Sequence, residues 1–203
     1  MAPSDISIRN LTGDWAIDKT KSKNIDGALK LQGIGWLRRK AVTSGTITLK
    51  TTHSDNSLMM QQGLRGIFPG VEQTRSLDWS EHEHVDAVSG AAIKVRSRFV
   101  PGVLEGEKVK PVLQVETPTA TGKRGEVEEY LGAAVSAPGQ SDETREKAFV
   151  QDFIVCESGG WTAEQIWAVE TIGDGLFLTC RAVAAKGDAI EQAYQVYQYE
   201  EQK

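Results

Sequence analysis

Short runs in which apolar and polar residues alternate recur along most of the chain, and this period of two predicts strands. Such runs lie at Gly13–Asp18, Thr46–His53, Ser57–Ile67, Gln73–Trp79 and Ala91–Val100. Others lie at Val109–Glu116, Ala148–Glu157, Thr162–Thr171, Leu176–Ala184 and Ala189–Glu200, making about ten strands in all. Between them stand turn signals such as Asp55-Asn56, Gly173-Asp174-Gly175 and Lys186-Gly187-Asp188. Sequential strands at short spacing predict an all-β antiparallel meander closed as a barrel or folded as a sandwich.

Two stretches depart from this pattern. In Asn24–Leu31 the residues Ile25, Ala28, Leu29 and Leu31 approximate helical spacing, with Asn24 as N-cap and Gly33 as a stop. Gly35–Lys40 begins a second short helix, so a helical pair is expected between the first strand and the rest. Thr117–Lys147 holds Pro118, Gly122, Gly125 and Pro138-Gly139, then a charged run. It reads as an insertion or flap at about 117–147 with a short helix within Gly125–Val135.

Length and charge narrow the function classes. The 203 residues are expected to form one domain, and 23 Lys+Arg against 28 Asp+Glu give a formal net charge of −5. Phosphate backbones require a basic footprint, so a nucleic-acid partner is not expected. No apolar run reaches the roughly 18–20 residues that span a bilayer, so membrane insertion is not expected. Met1–Asn10 has no apolar core of a signal peptide, and the two cysteines, Cys156 and Cys180, are too few for a secreted disulfide scaffold. A cytoplasmic protein with free thiols is expected, without a structural metal.

Three ordered motifs are similar to the intracellular lipid-binding proteins, the fatty-acid-binding and retinoid-binding group of the calycin superfamily. Leu11-Thr12-Gly13-Asp14-Trp15 resembles that group's first strand, with its Gly-x-Trp. Asn24-Ile25-Asp26-Gly27-Ala28-Leu29 stands where the group has its first lid helix, and Gln32–Lys40 resembles its Gly-hydrophobic-Gly run ending in Arg-Lys. At the other end, Leu176–Ala184, a turn and Tyr197-Gln198-Tyr199-Glu200 fit the closing hairpin. The resemblance implies a single up-and-down barrel of ten strands over residues 1–203, with a short helical lid after the first strand and a mid-chain insertion. It implies an internal cavity for one small hydrophobic molecule, no cofactor, and a monomer. The chain departs from the group in its length and in its last strand. There Tyr197 stands where fatty-acid carriers place the Arg of an Arg-x-Tyr pair, and Arg181 is the last Arg.

Several side chains are candidates for the site. Alternation on the last strand puts Gln195, Tyr197 and Tyr199 on one face, directed at the cavity if the group's register holds. Phenols there would donate hydrogen bonds or act as weak acids; otherwise they simply pack. Gln165 and Trp167 share a face with Trp161 and Val169, and Trp36 belongs to the lid; these are expected to contact ligand or to serve as core. Lys94, Arg96 and Arg98 share one face of their strand, which is a solvated basic face or, in the sharper reading, presents Arg98 inward to an acidic group. Two functions follow. One is binding of a small hydrophobic molecule. The alternative is a cofactor-free cyclase or isomerase, folding a polyketide or terpenoid chain in the cavity with Tyr197, Tyr199 and Arg98 as donors.

Overall fold

A computed structural model describes residues 3, 5–117, 122–138, 141 and 145–200. Ten strands form one antiparallel sheet in the order β4-β3-β2-β1-β12-β11-β10-β9-β6-β5. They are β1 (Gly13–Ile17), β2 (Ile47–Ser54), β3 (Ser57–Leu64), β4 (Phe68–Ser76), β5 (Asp78–Val85) and β6 (Ala92–Val100). A separate hairpin of β7 (Gly102–Glu105) and β8 (Lys108–Pro111) follows. The large sheet resumes with β9 (Phe149–Cys156), β10 (Trp161–Ile172), β11 (Gly175–Lys186) and β12 (Ala189–Glu200). Apart from that hairpin the order is a meander in which β12 returns to pair with β1, from Asp14↔Glu200 to Ile17↔Tyr197. This is the expected ten-stranded near-barrel.

The ladder is broken only between its end strands, β4 and β5. Side chains span that seam: Gln73 Nε2 donates to the Val85 carbonyl at 3.1 Å. The sequence pattern fused these two strands into one run, Gln73–Trp79. Pro69 and Gly70, residue types that rarely stand in strands, lie within β4, and β5 is polar at most positions. Conversely, Val109–Glu116 is not a barrel strand: β8 stops at Pro111, whose nitrogen cannot donate to a ladder.

Helices α1 (Ile25–Leu31) and α2 (Trp36–Ser44) follow β1. Asn24 and Gly35 occupy the N-cap positions, although neither caps through its side chain. Asn24 Nδ2 instead donates to Glu191 Oε2 (2.8 Å) and the Gln192 carbonyl (2.9 Å), fixing α1 to β12. Arg38 Nη1 donates to the carbonyls of Val88 (3.2 Å) and Ser89 (3.0 Å), fixing α2 to the β5–β6 turn.

The extra segment begins with the β7–β8 hairpin, earlier than residue 117, and includes α3 (Arg124–Leu131). Its described part packs on the outside of the barrel. Val109, Val115, Val127, Leu131 and Val135 form a second core with the outward side chains Val100, Phe149, Ile166, Ala168 and Val183. Strands β9–β11 are thus apolar on both faces. The main core lies inside and at the closed end, around Trp15, Leu49, Leu58, Leu178 and Tyr197.

Candidate functional site

Inward-facing side chains leave a cavity of about 120 Å³ beneath α1. Two features of the sequence make this space. Ile25, Ala28, Leu29 and Gln32 of the lid segment fall on one helical face, which roofs the cavity. The wall formed by the strands on which α1 sits is built from alanines: Ala163 pairs with Ala184 and Ala182 with Ala193, a contiguous patch across β10, β11 and β12. Larger side chains at these positions would fill the interior, as they do near Trp15 and Leu178.

Behind the polar part of the cavity wall lies Asp152 of β9, which is fully buried. Arg75 of β4 reaches across the seam and pairs with it through Nη1. Ser97 Oγ donates to Oδ1 of Asp152 at 2.6 Å, and Trp167 Nε1 donates to Oδ2 at 2.8 Å. Three donors therefore compensate the desolvated carboxylate. The Arg75 side chain is only 9% exposed and lines the cavity. Its Nε is buried without a hydrogen-bond partner. Gln62, Gln73, Gln165 and Gln195 add uncharged amides to the wall.

Of the residues singled out from the sequence, Gln165, Trp167 and Gln195 line the cavity. Tyr197 shares the inward face but lies below it, fully buried; its ring stacks on Trp167 (centroids 6.1 Å apart) and its hydroxyl donates to Gln195 Oε1 at 2.6 Å. Burial pushes this phenol well above its ordinary pKa. Tyr199, farther along the same face, is half-buried and packs edge-on against Trp15. Trp36 is 65% exposed at the start of α2 and does not reach the cavity lining.

Arg98 does not face inward. It lies on the outer face, where Nε donates to Gln151 Oε1 (2.8 Å) and the guanidinium stacks over Trp79, 4.0 Å from the ring centroid. The cause is the alternation of β6: Ile93, Val95 and Ser97 face inward, so Arg96 and Arg98 face outward, and a bulge between Asp78 and Glu81, with Trp79 at φ 68°, sets the indole against Arg98. The interior arginine is Arg75, which no motif marked. It shares β4 with Glu72 and carries no distinguishing signal, whereas Asp152 is the single charge of β9 and, with Gln151, interrupts the apolar run Phe149–Ile154.

Other reactive side chains are held apart from one another. Cys156 and Cys180 are free and buried, and burial pushes the Cys180 thiol far up. Among the described residues no group of three His, Cys, Asp or Glu side chains is placed to hold a metal ion. Among the described residues no helix is long and apolar enough to cross a membrane.

No family model and no curated protein sequence matches the chain. Solved structures do. A Schistosoma mansoni fatty acid binding protein in complex with arachidonic acid is 14% identical with a TM-score of 0.54, covering 97% of this chain and 100% of that one. The fatty-acid-binding protein from Manduca sexta is 15% identical with a TM-score of 0.51, covering 93% and 98%. An abundant heat soluble (SAHS) protein from Ramazzottius varieornatus is 9% identical with a TM-score of 0.54, covering 94% and 95%. Together with the ten-stranded near-barrel and its helical lid, these similarities show that the chain has the calycin-type fold of the fatty-acid-binding proteins.

Proposed function

We propose that this protein binds a small hydrophobic molecule in the cavity beneath α1. The observation that carries this reading is the alanine patch formed by Ala163, Ala182, Ala184 and Ala193 beside the apolar face of the lid helix. Interiors of folded proteins are close-packed, so side chains too small to meet across a barrel leave space for another molecule. Arg75 and Trp167, both bonded to Asp152 behind them, supply polar groups to that space. The similarity to fatty-acid-binding proteins supports the same reading at the level of the fold.

Native mass spectrometry of the purified protein, followed by denaturing extraction, tests the proposal directly. A small apolar molecule in stoichiometric amount is expected. Ala182→Phe fills the cavity from its wall and is expected to abolish that retention while the circular dichroism spectrum is kept. Retention by Ala182→Phe equal to that of the parent protein would place the ligand elsewhere.

A cofactor-free cyclase or isomerase acting in the same cavity is the second reading. The observation favouring it is Arg75, a cationic donor in a water-poor wall, where such a group stabilises developing negative charge. On this reading Arg75 takes the role expected of Arg98, Tyr197 and Tyr199. Incubation with a reactive polyene tests it: a product ratio that differs from the uncatalysed one, and returns to it in Arg75→Lys, supports catalysis.

A further inference from the structure

A buried, charged donor with an unused N–H calls for an acceptor, because leaving such a group unsatisfied costs more than most hydrogen bonds gain. Arg75 is that donor. Its Nη1 is engaged by Asp152, its Nε has no partner, and the side chain forms part of the cavity wall. The identity of the missing acceptor depends on the charge around it.

Asp152 already places a full negative charge against the guanidinium. Asp86, in the turn between β5 and β6, lines the cavity. His84 lies close enough to influence Arg75 and is held below its ordinary pKa by burial first and by Arg75 second. The cavity wall thus holds one arginine and one aspartate, with amides elsewhere, and Asp152 lies directly behind the arginine. A ligand carboxylate binding at Nε would enter beside Asp152 with no free cation to compensate it, and like charges at such separations in a poorly solvated site repel strongly. A carbonyl or hydroxyl oxygen takes the same N–H without that repulsion. It also finds amide donors from Gln73 and Gln165 in the same wall.

We infer that Arg75, neutralised by Asp152, anchors an uncharged oxygen acceptor, so that the cavity selects ketones, alcohols or related neutral apolar molecules over the corresponding carboxylic acids. The inference rests on the binding reading above and specifies the ligand class. Asp152 acts here as a specificity residue that withdraws charge from Arg75.

The test compares two ligands of equal chain length, 2-octanone and octanoate, at pH 8, where the acid is ionised. Titration is followed by tryptophan emission, since Trp161 and Trp167 line the cavity. The parent protein is expected to bind 2-octanone at least tenfold more tightly than octanoate. Asp152→Asn keeps the shape and one acceptor oxygen but removes the negative charge, and is expected to shift the preference toward octanoate by tenfold or more. Arg75→Lys keeps the cation beside Asp152 but loses the Nε donor, and is expected to weaken 2-octanone by about tenfold with little change for octanoate. Circular dichroism checks that each variant is folded, and the comparison within the parent protein needs neither. If both ligands bind equally, or if octanoate binds more tightly, the inference is overturned while the binding reading stands. An unchanged preference in folded Asp152→Asn also overturns it. If neither ligand binds, and Nile red gives no emission change that Ala182→Phe abolishes, the binding reading fails and the inference fails with it.

Discussion

The indole of Trp15 meets the phenol ring of Tyr199 edge-on, with centroids 5.2 Å apart and planes at 89°. This contact joins the first strand to the last, where β1 and β12 pair. Trp15 Nε1 also donates to the Leu11 carbonyl (3.1 Å) and to Thr51 Oγ1 (3.2 Å), so one side chain ties β1, β2 and β12 together. Trp15→Phe keeps a ring there but removes the donor to Thr51 Oγ1 and one of the two donors to the Leu11 carbonyl. A loss of about 1–3 kcal/mol is expected, read as a lower midpoint in urea denaturation.

Gly13 precedes Trp15 by two residues and has φ +146°, a conformation in which an added Cβ would also overlap the Tyr199 ring. Gly13→Ala is expected to destabilise by about 1–3 kcal/mol in urea. Combining it with Tyr199→Ala relieves the overlap but not the backbone strain. The double variant should therefore lose less than the sum of the single ones.

Asp152→Ala strands the Arg75 charge in the interior, and a destabilisation of about 3–5 kcal/mol is expected. Replacing both partners by apolar side chains, as Arg75→Met with Asp152→Leu, removes both desolvated charges. The double variant should recover most of that stability. A double-mutant cycle in urea measures it, and additive losses would show that the pair does not act as a unit.

Acidification tests the buried imidazoles. Burial, and then the charge of Lys147, lower the His53 pKa; burial, Arg75 and His82 lower that of His84. Each binds fewer protons folded than unfolded, so stability falls as pH drops through the unfolded value of about 6.5, and the loss levels off below the folded values. Urea midpoints between pH 8 and 5 are expected to fall, and the fall should shrink in His53→Gln/His84→Gln. Asp18 acts in the same direction at lower pH: the Lys21 side chain holds its carboxyl at about 2, so its contribution is present above 3.8 and is lost only toward pH 2. The two effects therefore occupy separate pH windows.

The outer core has its own polar clasp. The fully buried Glu164 accepts from the backbone N–H of Glu116 (3.0 Å) and Thr117 (2.8 Å), from Thr117 Oγ1 (2.7 Å) and from Gln151 Nε2 (2.6 Å). Glu164→Ala is expected to speed amide hydrogen exchange at Glu116 and Thr117 while β1–β4 exchange as before. Leu131→Ala, which empties the contact beneath α3, is expected to cost about 2–5 kcal/mol.

Local patterns in the sequence determined the strand faces, the lid and the closing hairpin. Alternation in β6, β10 and β12 is a property of neighbouring residues, because a strand places successive side chains on opposite faces whatever lies across from it. The spacing of Ile25, Ala28 and Leu29 likewise defines a helical face before any barrel exists. Tertiary structure alone decided depth and pairing. Gln195 and Tyr197 share a face two residues apart, yet one lines the cavity and the other is sealed beneath it, because tilted strands carry successive inward positions to different levels of the barrel. Alternation in β6 already set Arg98 on the face opposite Ile93 and Val95, where it stacks on an indole; Arg75 stands in a strand without such alternation, and a partner 77 residues away holds it inside. Such a pairing depends on which strands meet across the β4–β5 seam, and no local period encodes that.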